Sequence, residues 1–192
     1  MVRVLTAKHP GPDTPDEQLP DTSRIFFALW PEQSVRTAIS GISRQLPERQ
    51  GRLVVPNNLH ITLGFIGEVD RQKVPAFIEA AEAVKAKTVT LVLDHLGYFA
   101  RSRVVWLGCT AIPAALQELV RQLNSALRKT GYRPGRRPFQ AHITLFRNAK
   151  PLTELPQFTP VNWRINGFVL VESVLQPSGP LYRIIKEYHC AG

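Results

Sequence analysis

The chain has 192 residues, 44% of them hydrophobic and 20% charged, enough apolar material for one large or two small globular domains with a buried core. That excludes a disordered or fibrous chain. No apolar run of about eighteen residues is present to span a bilayer and the N-terminus lacks the apolar stretch of a secretory signal, so a soluble, cytoplasmic protein is expected.

With 24 Lys and Arg against 15 Asp and Glu, the formal charge of +9 favours a polyanionic partner such as nucleic acid, although charge alone supplies only non-specific attraction. Cys109 and Cys190 stand far apart without a CxxC or a Cys/His cluster, so neither a zinc site nor a disulfide framework is suggested.

Residues 1–23 hold Pro10, Pro12, Pro15 and Pro20 among Asp13, Asp16, Glu17 and Asp21, a composition that cannot bury enough apolar surface to offset the entropy of ordering it; a flexible tail is expected. Arg24 to Trp30 is a continuous apolar run typical of a central strand. Pro31 then suits a first helical turn, with Val35, Ala38, Ile39, Ile42 and Leu46 at helical spacing. Short strands at 52–55 and 59–66 follow, joined through Pro56-Asn57-Asn58. A helix over about 71–85 and a strand at 89–93 close the first half.

The second half repeats the plan. Arg103 to Cys109 echoes Arg24 to Trp30, and Leu116, Leu119, Val120, Leu123 and Leu127 mark a helix that should end near Gly131. Strands are expected at 141–146, 163–175 and 181–190, the last two around the turn Pro177 to Pro180. The repeat implies an α+β class: a bilobal duplicated fold, two antiparallel-type sheets with flanking helices facing a central cleft. Residues 24–192 are read as a single two-lobed domain.

The informative feature is His60-Ile61-Thr62-Leu63 and its copy His142-Ile143-Thr144-Leu145, at corresponding places in the two halves. In a strand His60 and Thr62 share one face while Leu59, Ile61 and Leu63 share the other. The apolar set can anchor in a core while the polar set lines a cleft. Paired imidazoles suit phosphoryl chemistry near neutral pH, because one can take a proton from water while the other gives one to the leaving oxygen. Each threonine hydroxyl could donate to a non-bridging phosphate oxygen.

These two motifs, with Arg24 to Ala28 before them and Asn58 to Gly67 around the first, resemble the two-histidine (2H) phosphoesterase superfamily, and within it the bacterial RNA 2′,3′-cyclic phosphodiesterases, also called 2′-5′ RNA ligases. The resemblance covers residues 24 to about 189. It implies a hydrolase of RNA processing that opens 2′,3′-cyclic phosphate ends to 2′-phosphomonoesters, with no required metal or other cofactor. His60 would protonate the departing 3′ oxygen, His142 would activate water, and Thr62 and Thr144 would bind the phosphate. The implied partners are RNA ends or cyclic nucleotides, not a membrane, and the protein is expected to be a monomer. The alternatives are 2′-5′ ligation, the same chemistry with a 5′-hydroxyl in place of water, or a non-catalytic nucleotide- or RNA-binding module; binding alone would not need two proton-transfer groups.

The family often carries an Arg five residues after the second histidine, matched by Arg147. Strict alternation would turn Arg147 away from His142, so this role requires a bulge. Phe65 and Phe146, flanking the motifs, are the candidate cleft walls; by the same parity Phe146 shares the face of His142, whereas Phe65 does not share that of His60. Arg128, Lys129, Arg133, Arg136 and Arg137, interleaved with Tyr132 and followed by Phe139, could grip RNA phosphates, and Arg136 and Arg137 are the candidates there. Trp30, Trp106 and Trp163 are read as core, and His9, His95 and His189 as incidental because no ligand spacing links them.

Overall fold

A computed structural model describes residues 20–47, 50–177 and 179–190. Residues 1–19 of the expected tail, with His9, therefore lie outside the described residues, as does Ser178 in the last turn. At the other end of that segment Ser23 is buried and its hydroxyl donates to Glu172 at 2.6 Å, so the first strand begins at Thr22 rather than Arg24.

The strands are β1 (Thr22–Leu29), β2 (Arg52–Leu53), β3 (Ile61–Asp70), β4 (Val89–Leu93), β5 (His95–Phe99), β6 (Val104–Gly108), β7 (His142–Arg147), β8 (Val161–Ile165), β9 (Gly167–Gln176) and β10 (Gly179–His189). The helices are α1 (Gln33–Ser43), α2 (Val74–Glu82) and α3 (Ala114–Leu127). Pro31 precedes the cap residue Glu32 instead of entering α1. After α3 a short 3-10 turn ends at Gly131, whose φ of +88° is the left-handed conformation that glycine adopts without a Cβ penalty.

Two antiparallel sheets result, and they are unequal. One has eight strands in the order β10-β9-β1-β3-β7-β6-β5, with β2 added beside β7; the other is the pair β4-β8. The strand at 89–93 does not close the first half. It pairs with β8 from the second, Leu91 opposite Trp163, and the next strand, β5, crosses to the outer edge of β6. In return β9 and β10 come back from the end of the chain to lie beside β1. The strand expected over 163–175 is for this reason two strands. It breaks at Asn166 as the chain leaves the small sheet for the large one, and at Gly167 a Cβ would collide with the Tyr188 carbonyl. Strand β5 escaped the sequence reading because it is short and interrupted by Gly97, where a Cβ would overlap the Trp106 ring.

Alternation gives the large sheet two different faces. Ile25, Phe27 and Leu29 of β1 join Ile61, Leu63, Ile143 and Leu145 in the main core, which α1, α2 and α3 cover with Ile39, Phe77 and Leu123. Each such fully buried Leu, Ile or Phe contributes about 1.5–3 kcal/mol of transfer free energy. On the opposite face Phe26, Ala28, Val169 and Val171 form a small separate cluster, packed against Trp30, Tyr182 and Ile184. This second face carries the candidate site.

Candidate active site

Strands β3 and β7 lie side by side in the middle of the large sheet and touch through one register pair, Ile61 opposite Ile143. Counting outward from it in an antiparallel ladder sets His60 across from Thr144 and Thr62 across from His142. Leu59, Ile61, Leu63, Ile143 and Leu145 are buried in the main core, while all four polar residues keep partial exposure on the other face. Each imidazole is thus neighbour to the threonine of the other half.

Past the threonines the alternation breaks twice, at equivalent places. The β1–β3 register slips so that Ala28 opposes Thr62 but Phe27 opposes Gly64, and the β6–β7 register slips so that Trp106 opposes Thr144 but Val105 opposes Phe146. Leu63 and Leu145 are the extra residues of these two bulges. The second bulge sends both Leu145 and Phe146 into the core and returns Arg147 to the cleft side, where it lines the cavities at His60. Phe146, only 4% exposed, is therefore core and not a cleft wall.

The first bulge brings Phe65, which parity had turned away, into the cavity that also holds His60 and Thr62. Gly64 occupies the place that Phe146 takes in the second motif, and the Tyr132 hydroxyl lies 3.6 Å from where its Cβ would be, filling that volume. The same registers make Ala28 and Trp106 equivalent, one residue out of step with the echo read from sequence.

Both rings are held in the same way. The Asn58 carbonyl lies 2.7 Å from His60 Nδ1 and the Gln140 carbonyl 2.8 Å from His142 Nδ1. A carbonyl can only accept, so Nδ1 carries the hydrogen in each and Nε2 is left as the reactive nitrogen. Trp30 stacks on the His60 ring at 5.6 Å between centroids, with Phe26 at 4.9 Å and Tyr182 edge-on at 5.3 Å. Trp30 is thus a wall of the site, not core. Trp106 and Trp163 are buried as read, and the former also presents an edge to His142 at 6.2 Å, beside Phe99 at 5.0 Å.

Burial in this aromatic nest, with smaller repulsion from Arg147 and His142, lowers the His60 pKa to about 4. His142 is lowered too, by burial and by Arg147. The charge of Arg147 is felt at both rings, which ties the three groups electrostatically.

Arg52, which the sequence reading passed over, opposes Arg147 across β2–β7 and lines the same cavities. One of them, of about 350 Å³, is walled by Arg52, Asn57, His60, Thr144, Arg147 and Tyr182. The Asn58 side chain donates to the Pro180 carbonyl at 2.9 Å and ties the turn before His60 to the β9–β10 hairpin. Asn58 stood within the recognised motif and Tyr182 at the end of the Ser173 to Tyr182 stretch that also fits the family pattern; Arg52 carried no signal, because the topology brings it in. Arg136 and Arg137 are exposed in the segment between Gly131 and β7 and do not line the cavities at His60. His95 opens β5, 5.5 Å from Trp106. Among the described residues no group of three or more His, Cys, Asp or Glu is placed to hold a metal ion.

Comparison with known proteins follows the same two-part plan. The sequence profile of the family described as LigT like Phosphoesterase matches residues 29–106 and again 107–182. A protein of Escherichia coli K12 named RNA 2′,3′-cyclic phosphodiesterase is 34% identical over 171 residues, covering 88% of this chain and 97% of that one. A Thermus thermophilus protein of the same name is 28% identical over 88% of this chain and 91% of its own length. The crystal structure of E. coli LigT in its apo form superimposes with a TM-score of 0.80 at 32% identity, covering 90% of this chain and all of that one, and the same protein complexed with 3′-AMP gives 0.78. With the profile matching both halves of the chain, a relative 34% identical over most of both lengths and a shared fold, the chain belongs to the LigT-like phosphoesterase family.

Proposed function

We propose that this protein is an RNA 2′,3′-cyclic phosphodiesterase that hydrolyses the cyclic phosphate at an RNA end to a 2′-phosphomonoester. The observation that carries the reading is the pair of imidazoles, one from each half, fixed in the same tautomer with Nε2 free and each set beside the threonine of the other half. The activity named for the bacterial relatives supports it.

In the step, water attacks phosphorus and gives its proton to His142 Nε2, while the bond from phosphorus to the 3′ oxygen breaks and that oxygen takes a proton from His60 Nε2. A 3′-hydroxyl and a 2′-phosphate remain. Thr62 and Thr144 donate to the non-bridging oxygens and Arg147 answers their charge. His60 is neutral in the free protein near neutral pH, so it must take up a proton from solvent as the anionic substrate binds. The phosphate anion supplies the opposing charge that favours the imidazolium, offsetting Arg147. Arg136 and Arg137 serve RNA more distantly, through phosphate contacts that set the salt dependence of binding.

The test is to incubate the protein with EDTA and an RNA ending in a 2′,3′-cyclic phosphate and to map the product. Turnover to the 2′-phosphate should persist; a loss that zinc or magnesium restores would remove the two-histidine mechanism. Replacing either histidine by Ala should cost on the order of a hundred- to ten-thousand-fold in rate. A substrate whose 3′ leaving group has a low pKa should largely rescue His60→Ala and not His142→Ala. Burial lowers both imidazoles and so does not by itself assign the acid and the base. Rescue of His142→Ala alone would establish the reverse assignment.

A further inference from the structure

The two motifs read alike and both rings donate from Nδ1 to a carbonyl, yet each imidazole meets a different neighbour across the strand. Leu29 pairs with Ile61, so the next residue, Trp30, comes opposite His60; at the equivalent place Gly108 pairs with His142. Two residues earlier the sizes are exchanged, with Ala28 opposite Thr62 and Trp106 opposite Thr144. An indole and a small residue thus occupy the same two positions in opposite order.

The exchange changes what covers each ring. Trp30 lies nearly parallel to the His60 imidazole, 15° between planes and 5.6 Å between centroids. Among the described residues no ring stacks on His142: Trp106 meets it at 67° and Phe99 at 88°. Gly108 has no side chain to cover it and could not gain one, because a Cβ there would stand 2.6 Å from the Ala141 carbonyl and 2.8 Å from the Trp106 ring.

Charge does not make this distinction. Arg147 acts on both imidazoles, and the other charged or titratable groups facing His60 are His142, Arg24 of β1, Arg52 of β2 and Tyr182 of β10, the last by its edge. Trp30 itself is half-buried and packs on the small cluster of the second face, not in the main core. It also lines a further cavity of about 350 Å³, with Arg36, Trp163, Arg164 and His189, that His60 does not line. Shortening the indole would therefore open the imidazole toward that space and its water without hollowing the core.

We propose that Trp30 is the positioning residue that makes the two histidines unequal: stacked across the strand, it fixes the plane of the His60 ring and shields one face of it from water, whereas His142, opposite Gly108, has no such cover. The role rests on the cyclic phosphodiesterase reading, in which two imidazoles of identical motif must do opposite things. Water excluded from a ring disfavours its charged form, so the indole delays protonation of His60 until a phosphate supplies the opposing charge.

The experiment follows the ring protons of His60 and His142 by NMR through a pH titration, together with the pH dependence of kcat/KM for a nucleoside 2′,3′-cyclic phosphate. In the wild type His60 should titrate near 4. Trp30→Ala should raise that value by about one pH unit or more toward the ordinary 6.5 and leave His142 in place. One limb of the kcat/KM profile should move up with it, whichever proton His60 handles. Trp30→Phe, which keeps a flat face, should stay near the wild type. A second measurement leaves Trp30 intact: in a chain keeping it as the sole tryptophan, indole fluorescence should change as His60 titrates, and should not in His60→Gln. An unmoved His60 in Trp30→Ala, equal shifts of both histidines, or fluorescence indifferent to the His60 titration would overturn the role of Trp30 and leave the phosphodiesterase reading standing. A wild type that turns over no cyclic phosphate would overturn both.

Discussion

His60 shows how one residue can carry a cost in stability for the sake of chemistry. In the unfolded chain its imidazole takes up a proton near the ordinary value of 6.5, but in the fold, buried among Trp30, Phe26 and Tyr182, it does so only near 4. Between those values the unfolded state binds more protons. Stability is therefore complete above the unfolded value and falls as the pH drops toward the folded one. The lowered pKa of His142 acts in the same direction. Replacing His60 by Gln should remove its share: urea unfolding at pH 5 and pH 7 should show the wild type losing about 1–2 kcal/mol more than the variant between the two. An unchanged pH dependence in His60→Gln would mean that other groups bind those protons.

At the scale of the element, the paired bulges of β3 and β7 decide which side chains meet the substrate. Each adds one residue after the threonine, so that Leu63 and Gly64, or Leu145 and Phe146, are buried in succession and the next side chain returns to the cleft. Phe146→Ala should accordingly cost about 3 kcal/mol by urea denaturation, as deletion of a buried ring does. Phe65→Ala, at an exposed ring, should stay within about 0.5 kcal/mol of the wild type. The reverse order would restore the unbroken strand.

This is also where legibility in the sequence ended. His60, Thr62, His142 and Thr144 stand before the bulges, and there the alternation of polar and apolar residues was a sufficient guide to their common face. Phe65, Phe146 and Arg147 stand after them, and an extra residue in a strand leaves no mark in hydrophobic periodicity. Arg147 could be placed only by resemblance, and of the two candidate walls parity favoured Phe146, which is core, over Phe65, which lines the cleft. The long helices were readable from spacing for the opposite reason: α3 buries Leu116, Leu119, Val120, Leu123 and Leu127 on one continuous stripe.

At the scale of the whole molecule, the duplicated chain does not divide into duplicated lobes. Strand β5 leaves the first half to pair with β6, and β9 and β10 return from the second half to β1, so each lobe is built from both parts of the chain. Glu172 of β9 fastens this exchange. Its carboxylate accepts from Ser23 of β1, from Arg71 before α2 at 2.9 Å and from Arg183 of β10 at 2.7 Å. Burial pushes its pKa up, but those hydrogen bonds outweigh burial and hold it below the ordinary value. The β3–β7 contact at Ile61 and Ile143 and the β4–β8 pair close the remaining routes by which one lobe could open alone.

Residues 20–190 should therefore unfold as one cooperative unit, a claim that the tryptophans can test because Trp30 lies beside the β1 lobe and Trp106 in the β6 lobe. With the other two tryptophans changed to Phe, a chain keeping only Trp30 and a chain keeping only Trp106 each report one lobe by fluorescence. Within each chain the fluorescence midpoint in urea should coincide with that seen by far-ultraviolet circular dichroism. Midpoints that separate in both chains, with one lobe melting before the bulk of the secondary structure, would show that the exchanged strands do not couple the lobes and that the cleft between the histidines can open without unfolding the rest.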